Sequence, residues 1–456
     1  VTVFPWTARD VAAALAMPPL SWDHSYAGIS TDTRRLSEGE LFVALKGDKF
    51  DGHDFLSDAR TAAVGGVVVR RDTPRWPGFD WFEVGDTREA LGKLARYRRD
   101  RMTGPVVAIT GTTGKTSTKE LLAAALGVKY CVHKSEGNLN NLVGVPLSLL
   151  AMPVEAEAAV IECGASLPGE IARLREIARP DLAVITNVGA GHLEGFGDVA
   201  GVMAEKIALV TGVATAVVGT EPAELPEAAR RAAERVITAG LGSSADWRAD
   251  EVEVTGEGRA RFVTRGVEVE LPFHGRHMVP NALVALAVSH ELGVRLEEAA
   301  AALRNAALPA GRSAVREVGG VTIVDDCYNA NPASLEAALA LLADVRGGRR
   351  TVTVLGTMRE LGERSRELHR EMAAKVLEAK PDVIAAVGEF VPAFRELEPG
   401  LDRDRLLTAD TPEELAPLLR EALEPGDVVL FKASRGVALE RLYPLLWPEA
   451  SHAGAH

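Results

Sequence analysis

Val106-Val-Ala-Ile-Thr-Gly-Thr-Thr-Gly-Lys-Thr-Ser-Thr118 is a short apolar run that breaks into a glycine-rich turn, after which Lys119-Glu-Leu-Leu-Ala-Ala-Ala-Leu126 resumes with helical spacing. The order predicts strand, phosphate loop, helix. Gly111 and Gly114 let backbone N–H groups approach an anion, and the N-terminus of the following helix adds a favourable field. From the same loop, which also carries Thr112, Thr113 and Ser117, the Lys115 ammonium can reach outer phosphates and the Thr116 hydroxyl can sit on a magnesium ion. The spacing departs from the common G-x-x-x-x-G-K-[ST], because Ile109 takes the place of the first glycine. The competing reading is an ordinary glycine turn before a helix; the strand pattern before the loop, with Thr116 and a helix after it, weighs against that.

Outward from the loop, the pattern continues as a parallel nucleotide-binding sheet. Ala158-Ala-Val-Ile-Glu-Cys-Gly-Ala165 reads as a buried strand ending in a carboxylate, and ligands collect at the carboxyl ends of such strands. Glu162 is therefore placed to hold magnesium. A helix is expected from Pro168, with proline in its first turn. Leu182 to Asn187 is the next strand, leading into the glycine-rich loop Val188 to Gly197, where His192 is a candidate for a metal or phosphate role. Lys206, on the helix that follows, reads by composition as a surface lysine. Glu136-Gly-Asn-Leu-Asn-Asn-Leu-Val-Gly-Val-Pro146 is a structured loop whose Asn138, Asn140 and Asn141 offer donors and acceptors for a peptide or a sugar. From Glu251 to Phe273 the period falls to two, with glycine turns at 256–258 and 266, which predicts a small antiparallel insertion. Gly275 to Asn281 then opens two Ala- and Leu-rich helices.

The flanking segments read as separate units. In the first hundred residues, Thr7 to Ala16 is a capped amphipathic helix; Gly28 to Arg35 and Glu40 to Gly47 read as strands, and Asp51-Gly-His-Asp-Phe55 opens a helix. Ser30, Thr31, Asp32, Thr33 and Arg34 gather hydroxyls, a carboxylate and a guanidinium, which suits a ribose and a diphosphate or else marks a polar strand end. Arg88 to Arg101 is a basic helix joining the next domain, its charges read as a solvated face. From Gly311-Arg312 onward β and α alternate: strands Val321 to Asp325, Thr351 to Leu355, Val383 to Val387 and Val428 to Lys432, with helices Ser334 to Leu342 and Glu367 to Leu377. This predicts a second, mainly parallel sheet of Rossmann-like type without a G-x-G-x-x-G fingerprint. Polar clusters lie at its strand ends, in Asp325-Asp-Cys-Tyr-Asn-Ala-Asn-Pro332 and Lys432-Ala-Ser-Arg435. The fold class is thus α/β in three domains: 1–100, 101–310 with a phosphate loop and an antiparallel insertion, and 311–456.

Composition narrows the function. A chain of 456 residues is too long for one core. The net charge of -13 argues against a general nucleic-acid surface, while a local basic pocket for a phosphorylated substrate stays open. Cys131, Cys163 and Cys327 have no C-x-x-C spacing, so neither disulfides nor a zinc site is expected. No secretory signal is recognised and the weakly polar run from Ile207 to Thr220 is too short to span a bilayer, so a cytoplasmic protein without membrane insertion is expected. With no coiled-coil seam, a monomer is the default.

Taken together, these residues resemble the Mur ligase family nearly end to end. The likeness runs through Thr31-Asp-Thr-Arg34, Leu41-Phe-Val-Ala-Leu with Asp51 to Phe55, Gly111 to Thr116, Asn138-Leu-Asn-Asn141 with Gly144-Val-Pro146, Glu162, His192-Leu-Glu194, Asn281, Gly311-Arg312, Asp325-Asp326 with Tyr328 to Pro332, Glu360-Leu-Gly362, and Lys432 with Ser434-Arg435. The phosphate loop marks only the wider family, which includes folylpolyglutamate synthetase. The Asn-x-Asn-Asn loop and the Tyr-Asn-Ala-Asn-Pro segment point to the branch that adds D-alanyl-D-alanine to UDP-N-acetylmuramoyl-tripeptide. The Asp-Asn-Pro-Arg segment typical of the diaminopimelate-adding relative is missing.

The resemblance implies ATP-driven amide bond formation through an acyl phosphate, with Mg2+. It implies that the loop from Gly111 to Ser117 binds ATP, that Lys115 contacts the outer phosphates, and that Thr116 and Glu162 bind one magnesium. His192 and Lys206 would serve a second, Lys206 matching a position that relatives carbamylate. Asn281, Arg312 and Asp326 would hold adenine, ribose and γ-phosphate, with Tyr328 nearby. Ser30 to Arg34 would hold the UDP moiety, and Asn138, Asn140, Asn141, Asn329 and Asn331 would meet substrate. Four positions depart from the branch pattern: Cys163 for Met, Gly191 for Ala, Cys327 for Ser, and Thr357 for Asp beside the expected peptide face. The rivals are another amide ligase of this family with a different acceptor, and a phosphate-loop NTPase switch that hydrolyses nucleotide without an acceptor carboxylate.

Overall fold

In the computed structural model, which describes residues 2–47, 49–255, 258–402 and 404–448, the apolar run Val106–Thr110 is an inner strand of a seven-stranded sheet. The strands lie in the order Trp247–Arg248, Arg235–Gly240, Thr215–Gly219, Leu182–Ile185, Val106–Thr110, Ala158–Glu162, Val132–Lys134, and every pair is parallel. The inner strands are dominated by buried Val, Ile and Ala because helices cover both faces. The chain leaves Val106–Thr110 for the far edge and returns to its other side at Leu182–Ile185. The phosphate loop therefore sits where the winding reverses, the crevice in which open α/β sheets bind ligands. Helix Met278–Glu291 packs on helix Lys115–Leu126 and is buried almost all round, which closes one side of the loop.

The period-two segment forms the expected antiparallel insertion, strands Asp250–Val254, Arg259–Thr264 and Val267–His274. Val269, Leu271 and Phe273 alternate inward. Gly266 turns the second hairpin with φ +80°; of the turn expected at 256–258, residues 256 and 257 lie outside the described residues.

The N-terminal sheet is parallel, in the order Ile29–Ser30, Leu41–Val43, Gly66–Arg70, Asp80–Val84. The strand expected from Gly28 to Arg35 is corrected: it stops at Ser30, and Thr33–Arg35 is a 3₁₀ turn capped by the Asp32 side chain. A short acidic side chain bonding the backbone two residues on favours such a turn over a ladder. The helix expected from Pro168 begins at Glu170, with Gly169 in the left-handed region at φ +88° before it.

Helix Thr87–Arg99 joins the first two units, and its basic end is no solvated face. Arg98 donates to the carbonyls of Met152 and Pro153, while Arg99 donates to those of Ala178 and Arg179 and pairs with Asp181 at 2.7 Å. Guanidinium groups satisfy carbonyls at helix and loop ends that water cannot reach.

The C-terminal sheet carries the predicted strands in the order Ala314–Val318, Val321–Asp325, Val428–Lys432, Thr351–Leu355, Val383–Val387, Leu406–Ala409. Its first strand is antiparallel to the second; it and the last strand were not legible as strands. No helix among the described residues is long and apolar enough to cross a membrane.

Candidate active site

The phosphate loop is shaped by close approach. Gly111 has φ +150° and a Cβ there would strike the Thr186 hydroxyl; Gly114 has φ +77° and a Cβ there would strike the Asn281 carboxamide. The loop is tied to the neighbouring strand end, with Thr113 N–H donating to Asn187 Oδ1 at 3.0 Å and Thr186 Oγ1 donating to the Thr113 carbonyl at 2.6 Å. Thr112 Oγ1 accepts from Gly189 N–H at 2.9 Å. Asn187 was not singled out from the sequence, although its place at the carboxyl end of Leu182–Ile185 was a signal for it. Lys115 folds over the loop, its ammonium donating to the Gly111 carbonyl at 2.8 Å. Burial pulls that ammonium below the ordinary lysine range, opposed by Glu162 and reinforced by Arg312.

Glu162 is held from both sides. Thr116 Oγ1 donates to Oε2 at 2.9 Å and Asn140 Nδ2 donates to Oε1 at 3.0 Å. Behind it the buried Lys119 ammonium lies 3.9 Å from Oε2 and donates to the Ser135 carbonyl at 2.7 Å. The role of Lys119 was missed because helical spacing alone makes it a surface residue. Ser117 is buried beside Thr116.

His192 caps a short helix in the left-handed region, φ +56°, with its Nδ1 2.5 Å from Glu360 Oε2 of the C-terminal domain. Despite that distance, His192 Nδ1 has no hydrogen-bond partner among the described residues. Lys206 is corrected from a surface lysine: its side chain is buried and its ammonium has no hydrogen-bond partner among the described residues. Desolvation, helped by Lys115, pushes it down to about 7. A substantial share of it is therefore uncharged amine near neutrality, the nucleophilic form that attacks carbon dioxide.

The C-terminal domain supplies the opposite wall. Arg312 stacks over Tyr328 with its guanidinium carbon 4.1 Å from the ring centre. Asp326 pairs with Lys432 and accepts from Ser313 N–H at 2.9 Å, and Lys432 also donates to the Asn329 carbonyl at 2.8 Å. His277 reaches Ser313 Oγ at 3.2 Å. Asn331 spends its side-chain oxygen capping helix Pro332–Arg346 through Ser334 N–H at 2.9 Å.

These groups enclose a cavity of about 720 Å³, lined by the loop from Thr112 to Ser117, Asn140, Asn141, Glu162, His192, Asn281, Arg312, Asp326, Tyr328, Asn329, Asn331 and Lys432. Asn138 is exposed and outside that lining, and Asn141 caps the next helix through Val143 and Gly144 N–H. Ser30 to Arg34 lie outside it as well, on the N-terminal domain. There Arg34 closes on Asp32 at 2.8 Å and 2.7 Å and holds its carboxyl down at about 2.

Among the described residues no group of three His, Cys, Asp or Glu side chains could by itself hold a metal. The donors present still suit Mg2+, which takes one or two protein oxygens and completes its shell with phosphate oxygens and water. Thr116 Oγ1 and Glu162, adjacent at the rim of an anion-binding loop, are such a set.

Three family descriptions match the chain in succession: Mur ligase family, catalytic domain, over residues 25–99; Mur ligase middle domain over 109–289; and Mur ligase, glutamate ligase domain, over 311–435. The chain is 35% identical over 420 residues to the UDP-N-acetylmuramoyl-tripeptide--D-alanyl-D-alanine ligase of Bacillus subtilis, covering 91% of this chain and 92% of that one. It is 35% identical over 437 residues to the enzyme of the same name from Escherichia coli, covering 92% and 93%. Among solved structures, a crystal structure of MurF from Acinetobacter baumannii superposes with TM-score 0.87 at 32% identity over 98% of this chain and 99% of that one. The MurF ligase of Thermotoga maritima in complex with ADP gives TM-score 0.82 at 32% identity over 94% and 98%.

Proposed function

This chain belongs to the Mur ligase family and joins D-alanyl-D-alanine to UDP-N-acetylmuramoyl-tripeptide in peptidoglycan synthesis; we propose that it does so through an acyl phosphate formed in the cleft between its central and C-terminal domains. The observation that carries the site is convergence. Lys115, Thr116 and Glu162 from one domain and Arg312, Asp326 and Lys432 from the other line one cavity.

The terminal carboxylate of the tripeptide attacks the γ-phosphorus of ATP, a carboxylate O–P bond forms, and ADP leaves. The amine of D-alanyl-D-alanine then attacks the acyl carbon, the C–N bond forms, phosphate departs and the amine gives up a proton. Little covalent chemistry falls to the protein, so its work is positioning and neutralising charge on the transferred phosphoryl group. Backbone N–H groups of Gly111 to Thr116 and the Lys115 ammonium bind the phosphates. Asn281, Arg312 and Asp326 hold adenine, ribose and γ-phosphate, with Tyr328 nearby. Mg2+, when bound at Thr116 and Glu162, supplies positive charge to the phosphate oxygens. Asn140 fixes the Glu162 carboxylate, and Asn329 and Asn331 face the acceptor side. The two-domain cleft keeps water from an acyl phosphate that would otherwise hydrolyse.

Lys206 is carbamylated in this reading: its neutral amine adds to carbon dioxide, an N–C bond forms and one proton is released. The buried, unpartnered ammonium position supports it. His192 and the carbamate would be the residues that hold a second magnesium, although Lys206 lies outside the cavity lining, and Ser30 to Arg34 hold the UDP moiety. The enzyme works as a cytoplasmic monomer on soluble nucleotide-linked substrates.

Phosphate release with ATP and UDP-N-acetylmuramoyl-tripeptide, with and without D-alanyl-D-alanine, tests the sequence of steps. Release that needs both acceptors, with a pentapeptide mass in the product, is expected; release with neither would favour the NTPase switch. Intact-mass measurement in bicarbonate showing only unmodified Lys206 would overturn the carbamate.

A further inference from the structure

We propose that Glu360 of the C-terminal domain is the positioning residue for the His192 imidazole, so that docking of that domain and orientation of the ring are one event. The inference rests on the reading that His192 serves the phosphoryl-transfer site, and it assigns Glu360 no contact with substrate, since Glu360 does not line the cavity.

The two residues meet across the domain boundary in matching, disfavoured conformations. His192 has φ +56° and Glu360 φ +63°, in the left-handed region that side chains other than glycine avoid unless their surroundings enforce it. The enforcement is visible. Glu194 N–H donates to the Glu360 carbonyl at 3.1 Å. Gly362, φ +58°, lies so close that a Cβ would sit 3.1 Å from Glu194 Cα. Backbone and side chain of Glu360 thus both address the loop that carries His192.

Glu360 is itself delivered by a fixed loop. His369 is buried; its Nε2 accepts from Met358 N–H at 2.9 Å while Nδ1 faces the Ser365 carbonyl at 2.7 Å. Burial lowers its proton affinity, consistent with a neutral ring that donates from Nδ1 and accepts at Nε2. Arg359 N–H donates to Ser434 Oγ at 2.8 Å. Both neighbours of Glu360's approach are therefore pinned inside the C-terminal domain.

Stability does not account for the pair. The Glu360 side chain is 50% exposed, and ion pairs so open to water contribute little to folding. Orientation does account for it. A carboxylate on Nδ1 selects the tautomer with its lone pair on Nε2, as carboxylates behind metal-binding or proton-transferring histidines do. The two atoms lie 2.5 Å apart without hydrogen-bond alignment, and such contacts commonly tighten as a site closes.

The test compares Glu360→Ala, Glu360→Gln, His192→Ala and the double variant His192→Ala/Glu360→Ala. Expected for Glu360→Ala is a fall in kcat of about 10- to 100-fold with KM for D-alanyl-D-alanine little changed, and for Glu360→Gln a smaller fall, because an amide oxygen still accepts. In the His192→Ala background, Glu360→Ala adds no further loss, the signature of two residues acting as one unit. Independent of turnover, ¹⁵N shifts of the His192 ring are expected to show protonated Nδ1 in the wild type and a mixed tautomer in Glu360→Ala. Additive losses in kcat, or unchanged ring shifts in Glu360→Ala, overturn the proposal. Full turnover by His192→Ala would instead sink the site reading, and the ring shifts would still decide whether Glu360 orients the imidazole.

Discussion

The Thr116 hydroxyl and the Asn140 amide grip opposite oxygens of Glu162, at 2.9 Å and 3.0 Å, so this carboxylate cannot turn without breaking one of two bonds. Glu162→Gln removes the charge and replaces one oxygen by a donor that faces either Thr116 or Asn140. We expect kcat to fall on the order of a hundredfold or more with the thermal midpoint little changed. Steady-state phosphate release beside a melting curve decides it; near-normal turnover would remove Glu162 from the magnesium site.

Lys115→Ala should abolish turnover and leave the fold intact. Among the described residues its ammonium bonds only to carbonyls of its own loop, Gly111 at 2.8 Å and Thr112 at 3.3 Å, so little tertiary structure depends on it. Circular dichroism matching the wild type, with no phosphate release above background, is the expected pair of results.

Gly114→Ala tests the loop without altering any charge. At φ +77° the added methyl is strained and strikes the Asn281 carboxamide. Nucleotide affinity, read by calorimetric titration of ADP, should drop at least about tenfold, on the scale of 1.4 kcal/mol per decade. Gly85→Ala, with open space at its Cβ and outside the cavity lining, is the control expected to bind normally.

Acid should destabilise the fold through three histidines. Burial holds His133, His277 and His369 below the ordinary value of 6.5. Each unfolded ring binds a proton before its folded counterpart does, so the unfolded state holds more protons just below pH 6.5 and stability falls as pH drops through that window. From about pH 7.5 upward both states are nearly all neutral and these groups contribute almost no slope. Urea unfolding between pH 7.5 and 5 should show a decline that is shallower in His133→Asn; an identical slope in that variant would exclude His133 as a contributor.

The central sheet and its phosphate loop were legible because their signals are local: buried parallel strands read as unbroken apolar runs, and the loop needs glycine where the backbone turns left-handed. Edge strands Ala314–Val318 and Leu406–Ala409 were not, since charge or partial exposure on an edge blurs the pattern. At the site, residue types at strand ends were readable, whereas partners arriving from elsewhere were not. Asn187 and Lys119 act on the loop and on Glu162 through contacts made only in the folded chain. Lys206 and Arg99 show the same limit from the other side, because neither the mostly apolar helix of the one nor the basic helix of the other carries a mark of which charge is buried.

Arg99 turns that limit into a prediction. It is buried, with bonds to the carbonyls of Met102, Ala178 and Arg179 and to Asp181, which fasten helix Thr87–Arg99 to the central domain. Arg99→Ala leaves these carbonyls without their donor and opens space along the stem, and a loss of roughly 3 kcal/mol is expected. Arg99→Met restores the packing but not the donors and should recover only part of it. Lys93→Ala, at an exposed position of the same helix, should fall within about 0.5 kcal/mol of wild type. Urea midpoints for the three variants separate the readings: if Arg99→Ala behaves like Lys93→Ala, the basic helix end is a solvated face after all, and the two domains are held by apolar packing alone.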